Sequence, residues 1–359
     1  MPELSRRGAN LLRGDESASG AESSRSDASL SGPARGSAAG GPVRALPRPD
    51  SNAGAVVTAL NRRKEFRASL CIVATALGAD FATGRVTSAF YAQMGECAWA
   101  GIALSGAVFG AFVAMLAHLA RRTGADGVPA LLRRMPGGPM GRGAGAAYAL
   151  IALASAGMHA TAAGHAGALL LPMQHAGLWS AALALLAALS IALAGRRALS
   201  CAGAIFLILM GLFELALLFF AKPPEGAALR FELEFRLRNH LPAALGFALL
   251  HASFCGCVCA GAVVRLTGGR SRPLRMGLWS GGMFTLMLAG ANAVLATRSA
   301  QLTALRLPFV ALAGGWGSAG FYVSAALSYL AAATSLAGVA YALLPRKMML
   351  NYENQSPQD

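Results

Sequence analysis

The chain has 359 residues, of which 55% are hydrophobic and 13% charged, and it carries a formal net charge of +15. The charged fraction is about half that of ordinary soluble domains, and together with a mean hydropathy of +0.51 it excludes a soluble globular protein. The positive charge does not indicate nucleic-acid binding, because the basic residues lie between apolar runs in a pattern that follows membrane topology.

From the N-terminus, residues 1–60 are rich in Ser, Gly, Ala, Arg and Pro and lack apolar periodicity. They are expected to form a disordered cytoplasmic tail with no signal peptide. Eight membrane spans follow, at about 68–92, 98–120, 145–170, 178–195, 199–221, 241–264, 274–297 and 319–344. A short tail, 346–359, closes the chain.

The charges orient these spans. Arg62, Arg63, Lys64 and Arg67 precede the first span, and Arg346 and Lys347 follow the last. The even-numbered connections carry 11 basic residues, among them Arg121, Arg122, Arg196, Arg197 and Arg265. The odd-numbered ones carry 6, offset in 222–240 by Glu225, Glu232 and Glu234. The basic-rich side is expected to be cytoplasmic, which puts both termini inside.

Asp80, Arg85 and Glu214 are charged residues within the spans, where each costs at least ~2.5–3.5 kcal/mol and so usually faces a cavity or a partner. On a continuous helix Asp80 and Arg85 would lie about 140° apart and could not pair. An interruption between Gly78 and Gly84 would change that, and it would free backbone groups that are tolerated at depth only beside a cavity or a protein partner. Secondary transporters use unwound helices of this kind to build solute sites. The alternative is an ion pair from Asp80 to another helix, with the glycines serving close packing. His159, His165 and His251 are candidate proton relays or packing groups, and His118 is expected at the interface.

Other features have plainer readings. The thiols of "CGCVC" (Cys255, Cys257, Cys259) alternate around a helix and cannot converge on one metal ion. "GAVFG" (106–110) and "GLWSG" (277–281) are helix-packing motifs. Thr334 and Ser335 are adjacent hydroxyls deep in the last span. They either join backbone carbonyls around a Na⁺ ion or bond back to their own helix.

"LGADFATGR", "ALLHASFCGCVCAGAVVRLTGGR" and "LPFVALAGGWGSAGFYVSAALSYLAAATSLAGVAYAL" occur in an order and spacing that resembles YkvI-like membrane proteins. Those belong to the amino-acid/polyamine/cation symporter superfamily, and the resemblance covers about 66–345. It implies an all-α integral membrane protein with the LeuT-like inverted-repeat helical bundle, in which helices 1 and 6 are discontinuous around the site. By position, Gly78, Asp80, Phe81, Gly84, Arg85, His251, Ser253 and Gly256 would line a substrate site. Ala76, Ala79, Thr334 and Ser335 would form a Na⁺ position. Asp80 and Arg85 depart from the family pattern, which has a small and a polar residue there. The last two of the usual ten helices are missing after Leu344, which leaves open a reduced transporter, a truncated gene or a partner chain.

The function expected is secondary active transport of a small nitrogenous solute, an amino acid or amine, coupled to Na⁺ or H⁺. The alternative is a non-transporting relative acting as a sensor or assembly subunit. No HExxH, GxSxG or nucleotide-loop motif is present, so an enzyme is not expected. Apart from Na⁺ no cofactor is expected. The partners would be the solute and the bilayer of a bacterial cytoplasmic membrane, with homo-oligomerisation left open.

Overall fold

The computed structural model describes residues 51–95, 97–134, 139–171, 173–220, 237–267, 272–296 and 307–344. Residues 1–50, 345–359 and nearly all of the 222–240 connection lie outside them. Among the described residues the chain is helical, with no strand. The helices are α1 (Ser51–Ala82), α2 (Arg85–Phe90), α3 (Cys97–Thr123), α4 (Val128–Arg133), α5 (Pro139–Leu170) and α6 (Ala176–Leu193). They continue as α7 (Gly195–Phe220), α8 (Leu237–Leu266), α9 (Pro273–Ala296), α10 (Pro308–Gly314) and α11 (Ser318–Leu343).

Seven of these, α3, α5 to α9 and α11, are long and apolar enough to cross a bilayer, as in a multi-pass membrane protein. The eighth expected span is divided. Its apolar part runs from Ala68 to the end of α1 at Ala82, and α2 carries the remainder. Large apolar side chains face outward along the helices, including Leu150, Leu178, Leu186, Ile208, Leu212 and Leu286. Such a surface suits hydrocarbon and would aggregate in water.

α11 is the hub: 72% of its membrane-length window is buried, against 22% for α5 at the periphery. It packs on α1, α5 and α6, while α3 packs on α8 and α9. Small residues permit these approaches. A Cβ on Gly110 would lie 2.7 Å from the Gly277 carbonyl oxygen, and one on Gly281 would lie 2.6 Å from that of Gly106. The two GxxxG motifs therefore face each other across α3 and α9. At the basic end, Glu65 accepts a 2.8 Å bond from the Arg272 amide and pairs with Arg275 at 3.3 Å, tying α1 to the start of α9. Arg265 closes the same end by donating to the Tyr341 and Leu344 carbonyls at the close of α11.

Two expectations are corrected. Residues 51–60 are helical, as the beginning of α1. Extending a formed membrane helix into "SNAGAVVTAL" needs no new nucleus. The sixth span is not broken: α8 runs through 251–257 as one helix. Its glycines keep negative φ and admit neighbours instead, Gly256 the ring of Phe112 and Gly261 the side chains of Tyr148 and Ala342.

Candidate functional site

The first span breaks where its glycines stand. Gly78 adopts φ 64° and ψ −172°, a combination outside helical geometry that residues with a Cβ rarely adopt. Gly84, in the left-handed region at φ 78°, ends the interruption and starts α2. The exposed backbone is satisfied by protein: the Thr83 hydroxyl donates to the Asp80 carbonyl at 3.0 Å, and the Phe309 amide donates to the Thr83 carbonyl at 3.0 Å. Each glycine also makes room for a ring, His159 against Gly78 and Phe309 against Gly84. α10 is thereby docked into the break.

Beside the break lies a cavity of about 720 Å³, a volume suited to a small molecule. Asp80, Thr83 and Arg85 line it from the broken helix, Thr161 and His165 from α5, and Ser328 from α11. Most of the remaining lining is apolar, including Val86, Phe90, Met158 and Val310. Asp80 is half-buried and Arg85 exposed, and no ion pair joins Asp80 to Arg85 or to any other described residue. The ring of His159 sits within electrostatic reach of Asp80. The cavity thus offers an acid inside the helix break and a base just after it, among small and apolar surfaces.

Not every expected residue joins this cavity. Phe81 is fully buried in the core, and Gly78 and Gly84 shape the break without lining the space. The α8 residues stand apart, because α8 is unbroken and turns them elsewhere. Ser253 is exposed, and Gly256 lies under Phe112. His251 is buried behind Phe90, its ring stacked on that phenyl with centroids 5.4 Å apart. Phe90 thus lines the cavity and also stacks on His251.

His251 belongs to a separate buried network. Its Nδ1 lies 2.8 Å from the Tyr91 hydroxyl, which lies 2.6 Å from the Ser105 hydroxyl. Ser105 donates to the Ala248 carbonyl at 3.0 Å, and Nε2 of His251 lies 3.4 Å from Cys255 Sγ. This network clamps the chain after α2 to α3 and α8.

The helices that carry the expected Na⁺ position, α1 and α11, pack on each other. The Ser335 hydroxyl donates to the Ala74 carbonyl at 3.1 Å, joining the two helices. Thr334 donates to the Leu330 carbonyl one turn back at 2.8 Å. Ala76 and Ala79 are buried on α1, and Ala79 also lines the cavity. Both hydroxyls thus have protein acceptors, and among the described residues no group of three or more His, Cys, Asp or Glu side chains could hold a metal ion.

Thr161 and Ser328 were not singled out by sequence reasoning. Their signal was spacing: Thr161 and His165 lie one turn apart among small residues, as do Ser324 and Ser328. No family model, curated protein or solved structure matches the chain.

Proposed function

We propose that the protein is a secondary transporter that moves a small nitrogenous solute, an amino acid or amine, by alternating access coupled to Na⁺ or H⁺. One observation carries this reading: the first helix breaks at Gly78 and Gly84, and the break places Asp80 and Arg85, unpaired with each other, on one cavity. Charges at membrane depth are costly, and a solute that complements them is the simplest reason to keep them. Asp80 would receive the ammonium group, Arg85 a carboxylate where the solute has one, and the apolar wall its side chain.

The packing is compatible with rocking. α3, α8 and α9 form one group and α5, α6 and α11 another, with the broken helix in contact with both. This arrangement supports the LeuT-like reading of the YkvI resemblance, in a bacterial cytoplasmic membrane with both termini inside. A second reading, a non-transporting relative, is favoured by the unbroken α8, which keeps Ser253 and Gly256 away from the cavity.

The test is ligand-dependent stabilisation of the purified protein against sodium, pH and a panel of amino acids and amines, beside Asp80→Asn. A ligand at 100 times its dissociation constant adds about 2.7 kcal/mol, a readable shift. The expected result is a solute-specific shift that Asp80→Asn abolishes. A folded sample that no solute shifts would count against transport and for the second reading.

A further inference from the structure

One buried ionisable group plays no part in that site. Glu214 lies on α7 with only 5% of its surface exposed, and its Oε1 has no hydrogen-bond partner among the described residues. Its other oxygen fills a niche on α9: a Cβ on Gly290 would overlap Oε2, so the helix offers a bare backbone where a side chain would exclude the carboxyl.

Among the described residues, the elements packed on α7 bring no counter-charge to Glu214. Gly290 faces Glu214 from α9, whose Arg275 is at the basic end with Glu65. On α1, Asp80 lines the cavity, Glu65 and Arg67 precede the span, and Cys71 meets α7 lower down, at Gly203. On α11, Tyr329 donates to the Ser180 carbonyl, Tyr341 lies under Arg265, and Tyr322 is exposed. Described α6 and α10 residues carry no ionisable side chain, and Phe309 and Trp316 pack on the neighbouring Phe213. An ionised carboxylate so enclosed would be an uncompensated charge, and a group in that position takes up a proton instead.

We infer that Glu214 is a proton-binding site, and that in the transport cycle proposed above it carries the coupling proton. The fold supplies the link to the cavity. Gly203, on the same buried stripe of α7, rests on Cys71 and Ala74 of α1, just before the break at Gly78. Movement of the broken helix therefore acts on α7 at Gly203, about three turns before Glu214. While sealed, Oε1 holds the proton. When the seal opens to water, the proton passes to the solvent of that side and the carboxylate is hydrated.

The test is infrared difference spectroscopy of the full chain in lipid, titrated in H₂O and D₂O without added solute. The wild type is expected to show a protonated carboxylic-acid band at neutral pH that titrates reversibly and exchanges with D₂O. Glu214→Gln should abolish the band, and Asp80→Asn should retain it. Absence of the band in the wild type, or its persistence in Glu214→Gln, would overturn the assignment. A Glu214 band that neither titrates nor exchanges would mark an inert packing group and end the coupling role. Glu214→Asp, which keeps the acid, guards against misfolding of the amide variant and should retain a band, shifted in frequency. Because no solute is used, the outcome for Glu214 is independent of whether the stabilisation panel finds a ligand.

Discussion

Replacing Gly78 by alanine tests the break directly. The backbone there, φ 64° and ψ −172°, belongs to a region that is essentially glycine's alone, and holding another residue in it costs about 1–3 kcal/mol. The new methyl would also lie 2.5 Å from Cε1 and 3.2 Å from Nδ1 of His159. Forcing such an overlap into a packed interior typically costs a further ~1–3 kcal/mol. Gly78→Ala is therefore expected to destabilise by about 2–6 kcal/mol. The two contributions separate in a double-mutant cycle: in a His159→Ala background only the backbone cost, about 1–3 kcal/mol, should remain. The assay is unfolding in mixed micelles, with all four proteins compared at one detergent composition. An unchanged midpoint for Gly78→Ala would refute a break at this position. An equal cost in both backgrounds would refute the His159 contact.

Further substitutions probe the packing around the site. Gly281→Ala would set a Cβ 2.6 Å from the Gly106 carbonyl oxygen and should cost about 1–3 kcal/mol by pushing α3 from α9. Its neighbour Gly282 has nothing within 4 Å, so Gly282→Ala should be neutral or stabilise by up to about 1 kcal/mol through helix propensity. Equal unfolding midpoints for the two variants would contradict the facing motifs. Tyr91→Phe removes the hydroxyl shared by Ser105 and His251 and leaves the buried Nδ1 of His251 without that partner, at a cost of about 1–3 kcal/mol. A double variant with Ser105→Ala should cost less than the sum of the two, and strict additivity would mean the contact carries no energy.

The break in the first span was legible because glycine is the residue that tolerates positive φ, and two glycines flanking charge left few other readings. The facing GxxxG pairs were legible as packing for a similar reason. The same composition misled in α8. Gly256 there is a socket for Phe112, and no local signal distinguishes a glycine that bends a helix from one that admits a ring. Ser253 and Asp80 look alike in sequence as polar residues at mid-span, but only the rotation of each helix in the bundle decides which meets a cavity. The α5 wall was half visible: His165 was considered, while Thr161 was hidden among alanines. The back-bonding of Thr334 was one of two readings open from sequence, and the packing of α1 on α11 sent Ser335 to a different acceptor.

The part of α1 before its break has the proportions of a lever. From Ser51 to Gly78 it spans about 40 Å at 1.5 Å per residue, with the fulcrum at the glycine. Glu65 lies about 20 Å along that arm, where its bonds to Arg272 and Arg275 act as a catch. A tilt of ~10° about Gly78 would carry Glu65 about 3.5 Å, enough to open the catch, and would sweep the start of the arm about twice as far. A small rotation beside the cavity is thereby magnified at the basic face, where a pair of spin labels on α1 and α9 could measure it.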